Sequence, residues 1–319
     1  MAIDLFKREK LEVKFLAVEK LNILYNLLTT LLIIIFFDRL NDPQGMLMGR
    51  FVIAAGTFVV IYIYTKFPSK AMRLVRMVSQ MFLLNYWYPD TFEFNRIFPN
   101  LDHWFATLEF DIFGCQPALL FEQVCSGIVW RELFNMGYWL YYPMIALVSF
   151  FCFFRRPKEV DRTTFIIMAS FFLYYMVYIF LPVAGPQFYF PVIGDELAVA
   201  GPYPEIGSYF NLNPEITFAQ EGKGALFTNL VGLAQSAGER PTAAFPSSHI
   251  GVSVVLLILS FKTSKRLAAI LFPVFVLLCC ATVYIKAHYL IDAIAGLVTG
   301  VVVYYIAAWL YGRFFEEKE

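Results

Sequence analysis

Seven stretches of this chain run for about the thickness of a lipid bilayer with almost no charge: residues 21–37, 48–67, 133–154, 165–183, 245–261, 267–287 and 289–311. At 1.5 Å per helical residue, about twenty apolar residues cover roughly 30 Å of hydrocarbon, where a backbone must satisfy its own hydrogen bonds. With 59% of residues hydrophobic and 16% charged, the chain carries more apolar surface than one globular core can hide. The expected fold is all-α, a polytopic transmembrane helix bundle.

Charge beside these stretches sets their direction, because short cytoplasmic loops are rich in Lys and Arg. Arg155, Arg156, Lys158 and Arg162 mark one connection as cytoplasmic, and Lys262, Lys265 and Arg266 mark another. Residues 184–244 carry only Lys223 and Arg240, so this loop is expected outside, together with the turn around Lys286 and His288. Lys66, Lys70, Arg73 and Arg76 ask to be inside, yet Leu133 must enter from outside, so seven spans leave a conflict. Parity favours a further crossing at residues 75–88, giving eight spans with both termini cytoplasmic. A re-entrant segment or a basic outer loop also removes the conflict.

The organisation expected from these patterns begins with an amphipathic interfacial segment over residues 1–20, read as a helix. Its mixture of Lys, Arg, Glu and apolar residues is unlike a cleaved signal peptide. Two transmembrane helices follow over 21–70, then a core over 73–311 and a cytoplasmic tail over 312–319. Within the core, residues 89–132 form an aromatic interfacial shelf that either presents lipid headgroups or simply covers the bundle, and residues 184–244 form the outer loop. Lys plus Arg and Asp plus Glu both number 25, which gives no electrostatic case for nucleic acid. Cys115 and Cys125 share a polar stretch and can pair in an oxidising compartment; the five cysteines otherwise read as thiols, and none shows CxxC or zinc-ligand spacing.

Of the three histidines, His249 and His288 lie at apolar helix ends, while His103 sits on the shelf and reads as an interface residue. The helix beginning near Ser247 and the next one, ending near Ala287, have similar lengths and opposite directions, so both histidines reach the same face. Asp292 follows His288 by four residues, one helical turn along the same side, where a carboxylate can accept an imidazole N–H. Such a carboxylate at the start of an apolar helix asks for a partner. Ser247 and Ser248 suit a helix cap whose first N–H groups form an anion site, with Lys286 and Arg240 adding cations. A tetrahedral phosphate matches this collection. The acidic residues Asp195, Glu196, Glu205, Glu215 and Glu221 of the outer loop read as a solvated surface rather than a cation site.

These residues resemble the type 2 phosphatidic acid phosphatase superfamily, PAP2. Its Pro-Ser-Gly-His motif is similar to Pro246-Ser247-Ser248-His249, and its later motif of Ser-Arg, five residues, His, three residues and Asp is similar to the run ATVYIKAHYLID. In that run Ala281 and Thr282 replace Ser-Arg, while His288 and Asp292 keep their spacing. The first family motif, with Lys and Arg-Pro, is not found, and the sequence after residue 183 reads VAGPQFYFP instead. With Tyr289 after the histidine, these departures resemble the inositolphosphotransferase branch, which includes inositol phosphorylceramide synthases.

The resemblance implies a six-helix PAP2-like core plus two N-terminal spans. It implies phosphoryl transfer in which His288 is the nucleophile, His249 the general acid and Asp292 the third catalytic residue. Ser247, Ser248, Lys286 and Arg240 would bind the substrate phosphate, with Lys286 standing in for the missing Arg, and no metal or other cofactor is expected. The leading expectation is a lipid phosphate phosphatase or phosphotransferase acting on a membrane lipid phosphate, with a possible lipid acceptor. A transferase moving a phosphorylated headgroup onto ceramide or diacylglycerol is the alternative within catalysis. A transporter or structural protein with an anion-binding helix end is the alternative outside it. The expected location is a bacterial inner membrane, with the site facing the periplasm.

Overall fold

A computed structural model describes residues 5–10, 14–213 and 225–316. Its helices are α1 (Ala17–Ile35), α2 (Pro43–Lys66), α3 (Lys70–Phe82), α4 (Leu84–Asn95), α5 (Asp102–Phe113), α6 (Pro117–Val124), α7 (Ile128–Trp139) and α8 (Tyr141–Arg155). They continue as α9 (Val160–Phe180), α10 (Pro186–Ile193), α11 (Asp195–Ala200), α12 (Tyr209–Leu212), α13 (Leu226–Gly238), α14 (Ser248–Thr263), α15 (Lys265–Tyr284) and α16 (Leu290–Phe314). No β-strand occurs among the described residues, and α1, α2, α7 with α8, α9, α15 and α16 are long and apolar enough to cross a membrane. The protein is an all-α polytopic helix bundle and an integral membrane protein.

Helix α9 is the hub. Its most apolar stretch is 78% buried, against 17% for α2, so α9 forms the centre and α2 faces outward. Phe171, Phe172, Tyr174, Tyr175 and Tyr178 of α9 pack with Tyr25, Trp87, Tyr138 and Tyr141 in one core cluster. Outward residues such as Leu31, Ile34, Phe51, Phe58, Val298 and Trp309 remain exposed, as expected of helices solvated by lipid.

Residues 70–95 settle how the chain passes through the bundle. Near one end, Arg76 of α3 grips Glu19 of α1 with bonds of 2.8 and 2.6 Å, and the Ala17 N–H donates to Asp161 in the first turn of α9. At the other end, Asn95 of α4 donates from Nδ2 to the Tyr178 carbonyl in the last turn of α9. Together α3 and α4 traverse the same depth as α9, in two pieces joined at Leu83 and with Pro89 inside α4. A buried bidentate pair between Arg50 of α2 and Asp90 of α4, at 2.7 and 2.5 Å, braces the second piece. Residues 75–88, too short to read as a span, are thus the middle of a broken traverse.

Residues 1–4 and 11–13 of the expected interfacial segment over 1–20 lie outside the described residues. Residues 5–10 form turns and an isolated bridge between Arg8 and Ser69, and the Ala71 N–H donates to the Leu5 carbonyl, while residues 17–20 open α1. All five cysteines are thiols.

Candidate active site

One close helix crossing, touching at two glycines, helps bring the histidines together. Helix α16 lies so near α14 that a Cβ on Gly296 would stand 2.7 Å from the Ser247 carbonyl oxygen, and one on Gly300 would stand 2.6 Å from that of Gly251. Small residues four apart allow this approach between apolar helices. It sets the start of α16 beside the start of α14, where the Ser247 N–H donates to the Asp292 carbonyl at 3.1 Å.

The connector between α15 and α16 is held by its backbone. Its His288 N–H donates to the Thr282 carbonyl at 3.1 Å, and the Lys286 carbonyl accepts from the Gln187 N–H at 2.8 Å. Lys286 adopts φ 64 and Ala243 φ 70, left-handed conformations that non-glycine residues rarely take. Ala243 precedes Ala244, whose carbonyl accepts a hydrogen bond from His288 Nδ1 at 2.8 Å. That bond fixes the proton on Nδ1 and leaves Nε2 with its lone pair. His288 Nε2 lies 3.4 Å from His249 Nδ1, which must then be the donor. The rings meet edge to face at 5.6 Å, and His249 is flanked by the rings of Tyr138 and Tyr141, each at 4.8 Å.

Asp292 caps its own helix and stands beside His288. Its Oδ2 accepts the Tyr289 N–H at 2.8 Å, capping its own helix, and stands 3.8 Å from His288 Nδ1. The direct partner of the imidazole is the Ala244 carbonyl. The local cap competes for the carboxylate, while a loop distant in sequence supplies the acceptor.

The expected phosphate ligands divide. Ser247 caps α14 by accepting the Ile250 N–H at 3.4 Å, and the Ser248 N–H donates to the Tyr178 hydroxyl at 2.9 Å. This leaves the His249 N–H as the first-turn donor of α14 without a partner among the described residues, a narrower anion site than the sequence suggests. The Lys286 ammonium is paired at 2.7 Å with Glu122 of α6, and the Arg240 cation acts on Glu93 of α4. His103 packs its ring against Trp104. Glu215 and Glu221 lie outside the described residues, and no cluster of metal-ligating side chains occurs among those described.

Three groups in the site escape the sequence reading. Asp102 of α5 is fully buried and accepts from the Ala184 N–H at 2.7 Å, the Gly185 N–H at 2.8 Å and Asn100 Nδ2 at 2.6 Å. Glu109, on the same helix, accepts from the Ile291 N–H at 3.0 Å, and burial pushes its carboxyl up to about 8, with the Asp292 charge adding to the rise. Glu239 takes hydrogen bonds from the Tyr138 hydroxyl at 2.9 Å and Gln187 Nε2 at 3.0 Å, and its charge reaches His288. Burial holds the His288 imidazole down at about 4, with the Ala244 bond and Glu239 opposing. An apolar crevice of about 610 Å³ runs between α3–α4 and α8 and reaches Glu239, Ser248 and His249.

A family model of the PAP2 superfamily matches residues 103–306. The chain belongs to the PAP2 superfamily. The matched segment runs from the first turn of α5 into α16 and contains His249, His288 and Asp292. No curated protein and no solved structure matches the chain. PAP2 membership supports an enzyme of the phosphatase or phosphotransferase type working on lipid phosphates in a membrane.

Proposed function

We propose that this PAP2 protein transfers the phosphoryl-bearing group of a membrane lipid through a covalent intermediate on His288. The observation that carries this reading is the 3.4 Å approach of His288 Nε2 to His249 Nδ1, with the tautomer fixed by the Ala244 carbonyl. In the first half-reaction Nε2 attacks phosphorus, the bond from phosphorus to the leaving oxygen breaks, and that oxygen takes one proton from His249, which enters the step as the imidazolium favoured by the bound phosphate charge and leaves it as the neutral ring. In the second, an acceptor oxygen attacks phosphorus, the phosphorus–nitrogen bond breaks, and the acceptor's proton returns to His249. No phosphorus fits between nitrogens at this distance, so substrate binding parts the two rings.

Asp292 acts by holding the connector in register. The His249 N–H, Ser248 and the N-terminus of α14 face the phosphate oxygens. Lys286 and Arg240 serve as phosphate ligands by exchanging their present carboxylate neighbours for substrate. The chain's departures from the usual PAP2 motifs favour the inositolphosphotransferase branch, and with it a phosphorylated headgroup as the transferred unit and ceramide or diacylglycerol as acceptor. Arg155, Arg156, Lys262 and Lys265 gather at one end of the bundle, which supports a cytoplasmic position for that end and, with it, an outer-leaflet position for the histidines in a bacterial inner membrane.

The test supplies labelled phosphatidic acid or phosphatidylinositol to the purified protein, with and without an acceptor lipid. Acid-labile label on the protein, absent from His288→Ala, is the expected result. Turnover that survives His288→Ala in a folded protein rules the reading out.

A further inference from the structure

The crevice beside His249 has a chemical polarity that the phosphoryl reaction does not use. Its walls are apolar or aromatic, with Met81, Tyr88, Ala146 and Phe171 among them. Along α3–α4 it extends from Met77 to Pro89, roughly 18 Å at 1.5 Å per residue. No Lys or Arg lines it among the described residues; the ionisable groups at its head are Glu239 and His249. A carboxylate there repels a phosphate and welcomes a hydroxyl donor. The Tyr138 and Gln187 bonds fix the Glu239 carboxyl, and Gln187 is itself held by Gln235 Nε2 at 3.1 Å.

The geometry points to Glu239 as the seat of an acceptor hydroxyl: a neutral lipid alcohol lies with its chain in the crevice and its hydroxyl on Glu239, beside His249. The reaction it serves rests on the proposed function, but its binding does not. The phosphate-bearing lipid then approaches from the loop side, where Arg240 and Lys286 lie. In the second half-reaction the acceptor oxygen forms its bond to phosphorus as the bond to His288 Nε2 breaks, and its proton passes to His249. Glu239 orients the hydroxyl and is a positioning residue. The crevice thereby favours transfer to lipid over transfer to water.

The test places full-length protein in phosphatidylcholine vesicles with a photoreactive diacylglycerol analogue. Saturable labelling, competed by dioleoylglycerol, is expected, with half-competition shifted at least tenfold upward in Glu239→Gln and in Ala146→Phe. Glu239→Asp, which keeps the carboxylate, falls between these and the parent. With labelled short-chain phosphatidic acid as donor, the ratio of labelled dioleoyl product to free phosphate drops at least tenfold in Glu239→Gln. Labelling that does not saturate, that phosphatidic acid competes equally well, or that the substitutions leave unchanged overturns the proposal. If Glu239→Gln does not fold, Ala146→Phe carries the same expectation, since that residue supplies only crevice wall. Survival of turnover in His288→Ala would sink the phosphohistidine reading alone and leave the labelling result decisive.

Discussion

The Tyr289 hydroxyl donates to Asp102 Oδ1 at 3.1 Å across 187 residues of sequence, joining the shelf to the residue after the nucleophile candidate. The same carboxylate receives the Ala184 and Gly185 N–H groups, so one buried anion holds the shelf, the outer loop and the connector together. Asp102→Ala leaves these donors without an acceptor, and each buried orphan costs about 1–3 kcal/mol. Thermal unfolding in detergent is expected to show the loss, together with a fall in activity. Asp102→Asn does not restore the parent behaviour, because its amide nitrogen would meet donors. A parent-like melting curve for both variants would contradict this role.

Removing each histidine separates the two proposed chemical roles. His288→Ala abolishes the covalent intermediate, whereas His249→Ala slows its formation by about 10²–10⁴-fold, the usual contribution of a positioned general acid. Both variants are expected to remain folded. A labelled donor and rapid quench into alkaline denaturant, in which a phosphorus–nitrogen bond survives, report the intermediate directly.

Protonation gives a further test. His288 is depressed from 6.5 to about 4 by burial, so the folded protein binds this proton less readily than the unfolded chain. Its contribution to stability is present above about pH 6.5 and is lost as pH falls toward 4, by roughly 3 kcal/mol in all. Activity that needs the neutral ring keeps its acid limb near pH 4 instead of near 6.5. Glu109 works in the opposite direction: raised from 4.5 to about 8, it favours folding most at low pH and progressively less as pH rises through that window. Glu109→Gln, which keeps an acceptor for the Ile291 N–H, should flatten the second slope in pH-dependent melting and leave the first.

Packing between α14 and α16 fixes the distance between the rings. Gly296→Val drives a side chain into the Ser247 carbonyl, at 2.7 Å for the Cβ alone, and must push the helices apart. Activity is expected to fall by more than tenfold even where the bundle still assembles. Gly185→Ala tests the connector in the same way, since its Cβ would stand 2.8 Å from the Ala287 carbonyl oxygen at φ 96. Intact turnover in both variants would show that the rings tolerate such displacement.

Helix-end arithmetic made the meeting of His249 and His288 readable, because two neighbouring antiparallel helices of similar length return to one face. The cap at Ser247 was readable for the same local reason. Asp292 was visible as a group needing a partner, but the acceptor that His288 uses directly was not: Ala244 reaches His288 beside the left-handed turn at Ala243. Asp102 and Glu239 left no local signal, since apart from Asn100 beside Asp102 their carboxylates are held from distant segments, Asp102 by Ala184, Gly185 and Tyr289, Glu239 by Tyr138 and Gln187. The broken α3–α4 traverse was legible through charge parity alone, its apolar pattern being interrupted by Arg76, Gln80 and Pro89.

One side of the crevice comes from α3 and α4, which precede the family-matched segment, whereas both imidazoles lie within it. Substitutions at Met81 or Tyr88 can therefore retune which hydrocarbon lengths are accommodated while the reacting atoms keep their mountings. Selectivity and reactivity become separately adjustable in one polypeptide.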